Sequence, residues 1–361
     1  MTEHAQEPRK HAVLSASGSH IWLHCTPAAR FQEQFPDQET EYSREGTWAH
    51  SVAAHRLAGW LGKASEFADE KAIPGHDQFA NEENYEFING YVRRCMNKIN
   101  QARKQGGGAL VLLEQRLDYS DWVPGGFGTG DLVIVADDML IVRDLKFGKG
   151  VQVEAEDNPQ LKLYALGAIA AYQGVYDFTK VVVEIDQPRR NHIDGTEPMD
   201  VFELILWAEG YVKQRAVLAW EGKGEFTPGD HCRFCRGRQE CAARAEAMAD
   251  LVDREFDEEK PDRMTPEQIG ALLPRLDALV AWANDLKKYA FTQAMNGTKW
   301  PGLKLVQGRS NRKIVDPNGL ADGIVAVLGN LDAAPPGLEV GDQERLQDAL
   351  CRPYLDDLPW F

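Results

Sequence analysis

The sequence predicts an α/β fold whose core runs helix, three strands, helix, strand. Three observations carry that reading. Two apolar runs, Leu132–Ala136 and Met139–Val142, flank Asp137-Asp138, which reads as a two-residue β-hairpin turn. Helical segments stand on either side, over residues 43–61 and 159–172. A further β-type run, Val181–Ile185, follows the second helix.

A chain of 361 residues can bury a sizeable core and has room for two domains. Residues 12–30 mix apolar and small side chains, with Cys25 close behind Trp22. In the helix over 43–61, Ser43 is the expected N-cap, and Trp48, Val52, Leu57 and Trp60 supply apolar surface. His50 falls in its first turns; taken alone, a helical histidine is more often a surface or core residue than a ligand. Residues 64–78 read as a loop around Pro74-Gly75. A second helix, about 80–104, aligns Ile88, Tyr91, Val92, Cys95, Ile99 and Ala102, so Cys95 is expected to be a buried thiol. The glycines at 106–108 end it, and the first strand runs from Ala109 to Asp118.

The stretch Gly125-Gly-Phe-Gly-Thr-Gly130 is not a phosphate loop, because a strand follows it and no Gly-Lys-Ser/Thr is present. Its glycines are expected to let the backbone approach the site closely. After Val181–Ile185, another amphipathic helix spans about 200–220. The acidic run 250–262 reads as a solvated linker. A C-terminal region opens with the capping box Thr265-Pro-Glu-Gln268. Its stripe Ile269, Leu272, Leu276, Leu279, Ala283 and Leu286 continues to a stop at Asn296-Gly297, and Gly308–Lys313 follows as a basic turn. The expected domains are therefore 1–249 (with a helical insertion at about 64–108), a linker at 250–264, and a helical accessory region at 265–361.

The hairpin register places Asp131 opposite Asp144, with Cβ atoms about 5 Å apart. Alternation along the strand puts Asp144 and Lys146 on one face. Two carboxylates that close repel, and a divalent cation between them is the natural remedy. Gln160 and Tyr164 share a helical face. Glu114 reads equally well as a site residue or an exposed strand residue and is left out of the ligand set.

A net charge of −16 excludes a chain coated in basic residues to hold nucleic acid. It does not exclude a local basic track, because phosphates feel the nearby field. Arg143, Lys146 and Lys149, then Arg189-Arg190, then Arg233, Arg236 and Arg238 supply one. The first residues, MTEHAQEPRK, lack the apolar core of a signal peptide, and Leu163–Tyr176 is too short and too rich in Gly, Ala and Tyr to span a bilayer. No membrane role is expected and the cytoplasm is the expected compartment, where six cysteines point to metal or redox chemistry before disulfides. Cys232, Cys235 and Cys241 are spaced C-x2-C-x5-C and need a fourth ligand, for which Cys25, His231 and His24 are candidates. Spacing alone leaves zinc and an iron–sulfur cluster both open.

Taken together these residues resemble the PD-(D/E)xK nuclease superfamily in its RecB-like branch. The closer similarity is to the iron–sulfur nucleases: CRISPR-associated exonucleases, AddB-type subunits and a phage-borne family of the same layout. The matching positions are His50, Asp131, Asp144-Leu145-Lys146, Gln160 and Tyr164, with Cys25 before the histidine and Cys232, Cys235 and Cys241 after the core. The long segment between His50 and Asp131 and the extra C-terminal region depart from the pattern.

The resemblance implies a restriction-endonuclease-like core (α-β-β-β-α-β) stapled by a [4Fe–4S] cluster on the four cysteines. It implies Mg²⁺ or Mn²⁺ held by His50, Asp131, Asp144 and the Leu145 carbonyl, with Lys146 acting on the attacking water. Gln160, Tyr164, Lys149, Arg189 and Arg190 would grip the strand. The expected function is a metal-dependent DNA exonuclease in phage recombination or replication, working in a bacterial host cytoplasm, with a phage annealing or single-stranded DNA-binding protein as a partner. The alternatives are a non-catalytic iron–sulfur or zinc DNA-binding module and a structural phage protein that only assembles with replication partners. The terminal Asp356, Asp357, Trp360 and Phe361 resemble the acidic tip of bacterial single-stranded DNA-binding proteins, which implies docking to the host proteins that bind such tips; simple packing on the C-terminal region is the other reading.

Overall fold

The antiparallel pair that carries Asp131 and Asp144 lies at the centre of a six-stranded sheet. A computed structural model describes residues 12–37, 39–105, 108–136, 138–196, 198–256 and 265–306. Asp137 of the hairpin turn, the end of the acidic linker, the basic turn at 308–313 and the terminal Asp356, Asp357, Trp360 and Phe361 lie outside the described residues. The chain divides into two units, Met1–Thr292 and Gln293–Phe361. The described part of the second unit is the last turn of a long helix and the loop after it, where Gly297 takes a φ of 99°.

The helices are α1 (Ser19–Trp22), α2 (Ala28–Phe31), α3 (Glu41–Leu61), α4 (His76–Phe79) and α5 (Glu82–Gln105), then α6 (Pro159–Tyr172), α7 (Val201–Trp207), α8 (Lys213–Glu221), α9 (Ala242–Phe256) and α10 (Pro266–Met295). The strands are β1 (Leu110–Asp118), β2 (Phe127–Ala136), β3 (Met139–Leu145), β4 (Lys180–Gln187), β5 (His192–Gly195) and β6 (Met199–Asp200). A wider π-type turn, Ala208–Val212, joins α7 to α8, where the sequence pattern suggested one unbroken helix.

Strand order in the sheet is β1-β2-β3-β4-β5, with β6 also pairing to β4. Among the described strands only β3 and β4 run parallel, as the α6 crossover between them requires. The β2–β3 register runs from Ala136 opposite Met139 to Leu132 opposite Arg143, the pairing expected of a two-residue turn. Side chains alternate, so Leu132, Ile134 and Ile141 pack with α3 and α5 while Val133, Val135, Leu140 and Val142 pack with α6. Each fully buried aliphatic side chain of this kind stabilises the fold by about 1.5–3 kcal/mol.

Local chemistry sets the ends of the elements. Thr40 caps α3: its hydroxyl accepts the Ser43 N–H at 3.1 Å while the Ser43 hydroxyl takes the Thr40 N–H. The cap thus lies three residues before the expected one, because Ser43 serves as the reciprocal partner at the third position. Asn158 caps α6 with Pro159 at its first position, and that start brings Gln160 and Tyr164 toward the strand ends. The helix α9 continues to Phe256, so the first part of the acidic run is helical.

A charged network locks β3 to β4 beneath the sheet. Arg143, buried, lies 3.2 Å from Asp186 and 3.6 Å from Glu184. Arg94 of α5 grips the same Asp186 through two hydrogen bonds, of 2.7 and 2.8 Å. The Asp186 carbonyl in turn accepts the Lys146 backbone N–H at 2.8 Å, which carries the strand pairing one residue beyond β3.

Candidate functional site

Asp131 stands where the β2–β3 ladder opens. Beyond the last pair, Leu132 and Arg143, it inserts its own carboxylate into the fork: Oδ2 accepts the Leu145 backbone N–H at 2.6 Å. Its Oδ1 lies 3.0 Å from Nδ1 of His50 on α3. On the other flank, Leu113 pairs with Leu132 and Gln115 with Gly130, and Glu114 between them takes a φ of 46°. A left-handed backbone is uncommon for a residue with a Cβ and costs on the order of 1–3 kcal/mol. Ligand atoms of His50, Glu114 and Asp131 all lie within 4.8 Å of one another. Ala53, Leu57, Tyr91 and Leu145 complete the wall of this small pocket.

Asp144, fully buried, faces the other half of the site. Its Oδ2 is 2.8 Å from Lys146 Nζ, and its Oδ1 accepts Gln160 Nε2 at 3.2 Å. Lys146 Nζ also donates to Gln160 Oε1 at 2.9 Å. Gln160 Nε2 meets the Tyr164 hydroxyl at 3.1 Å. His50 and Asp131 thus bond in one half of the site and Asp144, Lys146, Gln160 and Tyr164 in the other, with one addition to the residues expected.

That addition is Glu114. An acidic residue directly after four apolar strand residues was the only hint in the sequence, and alternation could not tell which way it faced. The left-handed φ answers that, and no residue pattern announced it.

Electrostatics mark the pocket as short of positive charge. Burial opposes the charge on the His50 imidazole, but the adjacent Asp131 carboxylate outweighs it and raises the pKa to about 9. Burial first, then the Asp131 charge, raises Glu114 to about 7. Burial also pushes Asp144 upward, with Lys146 pulling the other way. A divalent cation among these oxygens and the imidazole would relieve each of these strains, so the donor set fits one.

The basic residues are placed differently from one another. Arg189 is only 10% exposed: it pairs with Glu45 at 2.7 Å and stacks over Phe147. Its role here is to hold the start of α3, so it is not presented outward as a phosphate grip. Arg190 bonds the carbonyls of Lys149 and Gly150, and exposed Lys149 lies 3.4 Å from Glu83.

Two of the glycines in the 125–130 stretch lie against rings, Gly128 beside the site residue Tyr164 and Gly126 beside Tyr119 in the core. A Cβ on Gly128 would lie 2.6 Å from the Tyr164 ring, and one on Gly126 would lie 2.5 Å from that of Tyr119.

Cys25, Cys232, Cys235 and Cys241 line a single cavity, together with His231, Arg238 and Arg244. Cys25 comes from the turn after α1, Cys232 and Cys235 from the short 3-10 segment Asp230–Phe234 and its end, and Cys241 directly precedes α9. His24 stacks on His231 instead of lining the cavity. Burial, then the other thiols, pushes Cys235 up to about 11. Arg238 and Arg244 both bond Asp285 of α10.

Residues 11–329 match the family described as Protein of unknown function (DUF2800). The chain belongs to that family. Among solved structures, the crystal structure of SSO0001 aligns with 67% of this DUF2800 chain and 91% of its own, at 12% identity and a TM-score of 0.29. Among the described residues no helix is long and apolar enough to cross a membrane.

Proposed function

We propose that this protein is a metal-dependent DNA exonuclease of the RecB-like PD-(D/E)xK type, carrying a [4Fe–4S] cluster and acting in phage recombination or replication. The observation that carries the reading is the pair of bonded groups at the open end of the β2–β3 ladder, His50 with Asp131 and Asp144 with Lys146 and Gln160. Mg²⁺ or Mn²⁺ held there by His50, Asp131 and Glu114, with Asp144 alongside, would polarise the scissile phosphate and acidify a bound water.

The protein's own groups do the rest. Lys146, steadied by Asp144 and Gln160, orients the attacking water and meets the charge that develops on the phosphate. Gln160 joins both carboxylate and lysine to α6, so helix and strand move together. Tyr164 supports Gln160. The separation of roles, with Asp131 and Glu114 on the metal side and Asp144 on the lysine side, supports hydrolysis over simple DNA binding.

We assign the cysteine cavity to the cluster that the resemblance implies. Cys25, Cys232, Cys235 and Cys241 all line it, with Arg238 and Arg244 beside them. Four thiolates leave either a cluster or a single zinc ion with net negative charge, which those arginines offset, so the metal content decides between the two.

The deciding experiment uses DNA labelled at either end, with Mg²⁺ or Mn²⁺. Progressive loss of label from one end, abolished by Asp144→Ala and Lys146→Ala while DNA binding stays measurable, is the expected result. Wild-type rates in Lys146→Ala would overturn the assignment.

A further inference from the structure

Glu154, His192 and Asp194 form a second group in which each residue offers a ligand atom within 4.8 Å of the others. Glu154 belongs to the loop that carries the chain from Lys146 to α6, whereas His192 and Asp194 point from the same face of β5. His192 Nε2 is closed off from solvent and makes no hydrogen bond, and Glu154 Oε2 stands 3.1 Å away. An imidazole nitrogen and a carboxylate oxygen bound side by side to one ion at about 2.1 Å, at right angles, stand about 3 Å apart. The observed spacing is compatible with neighbouring ligands.

The surrounding contacts hold the three donors in place. Asp194 Oδ2 accepts the Ala155 N–H at 2.5 Å, and Glu154 Oε1 accepts Gln152 Nε2 at 2.6 Å. Gln187 of β4 ties the same loop just before Glu154, accepting the Val153 N–H at 2.8 Å and donating to the Val151 carbonyl at 3.1 Å. Such outer contacts fix the orientation of ligating side chains.

We propose that Glu154, His192 and Asp194 bind a divalent first-row cation that pins the 146–158 loop to β5. One nitrogen and two carboxylates, with water completing the shell, suit Mn²⁺ or Zn²⁺. Because this loop joins Lys146 to Gln160, the cation fixes the spacing of two residues whose side chains bond each other. The proposal stands apart from the catalytic reading, since it needs neither hydrolysis nor DNA.

Mn²⁺ is the probe, because hard ions avoid the thiolates of the cysteine cavity. The full-length protein carrying Asp131→Asn, Asp144→Asn and Glu114→Gln, which disables the first site, is titrated and followed by electron paramagnetic resonance. One Mn²⁺ per chain should remain. It should be lost on adding Glu154→Gln, a change at a side chain 53% exposed that leaves the packing intact, and equally on adding His192→Gln. Mn²⁺ should also slow tryptic cleavage after Lys149 several-fold, with the protection lost in both variants. A background protein that binds no Mn²⁺, or a bound ion indifferent to both substitutions, would overturn the proposal.

Discussion

The ring of Tyr164 occupies the space that Gly128 leaves open: a methyl at position 128 would stand 2.6 Å from Tyr164 Cε1. The backbone of β2 therefore sets where the α6 side chains reach the site.

This relation ranks two substitutions. Tyr164→Phe keeps the ring and loses one hydrogen bond, so DNA hydrolysis should slow by roughly two- to tenfold. Gly128→Ala displaces the ring, and with it Gln160 and its hold on Asp144 and Lys146. It should slow hydrolysis more than Tyr164→Phe does. Single-turnover cleavage rates compare them directly, and equal rates would break the link between strand and helix.

His50 and Asp131 give a pH signature. The raised imidazole pKa means that the folded state binds the proton more tightly than the unfolded chain, whose histidines titrate near 6.5. The stabilisation is fully present below about 6.5 and disappears as pH climbs through about 9. In Asp131→Asn the strongest raising influence is lost, while burial and the weaker pull of Glu114 and Asp144 remain, so the His50 midpoint should fall. Imidazole chemical shifts against pH read this out, and an unchanged midpoint would dissociate the pair.

Metal binding should run opposite to proton binding. Glu114 and His50 must both release protons to serve as ligands, so Mn²⁺ affinity should rise steadily from pH about 7 to about 9. Calorimetry in buffers of different ionisation enthalpy counts the protons released.

Glu114 trades stability for its position. Glu114→Gly removes the left-handed strain, worth about 1–3 kcal/mol, against about 0.5–1 kcal/mol of added chain entropy. The variant should unfold at higher denaturant concentration, by about 1 kcal/mol in stability, and bind Mn²⁺ more weakly. A variant both less stable and equally tight in binding would show that Glu114 is not a ligand.

The cysteine cavity yields a further test. Protein purified without oxygen should be brown and contain about four irons per chain. Cys25→Ala and Cys235→Ala should destabilise it equally, because each removes one arm of a shared site. A colourless protein with one zinc per chain would replace the cluster with a zinc staple.

The hairpin register, the α6 start at Pro159 and the grouping of Cys232, Cys235 and Cys241 were legible because each depends on local rules, alternation, capping and spacing, whereas Cys25 came from the resemblance and not from spacing. Glu114 was not, since its orientation comes from a single backbone angle. The burial of Arg189 was hidden for another reason. Its partner Glu45 lies far away in sequence, and the fold brings the two together. The β5 and β6 strands are too short to show a period, so the second carboxylate–histidine group could not be read from the residues alone.

The amino-terminal segment is held by residues made much later. Thr26 bonds the Lys223 carbonyl, Arg30 the Trp220 carbonyl, and Tyr211 and Arg215 the Leu23 carbonyl, while Cys25 faces the cavity that Cys232, Cys235 and Cys241 complete. Synthesis runs from the other direction. As the chain leaves the ribosome, Ile21, Cys25 and Ala28 emerge with nothing to cover them, and they wait through the making of the entire sheet. Residues 23–30 thus settle only after residues 211–235 have been made, and a chain lacking those later residues leaves Leu23, Thr26 and Arg30 without the partners they bond here.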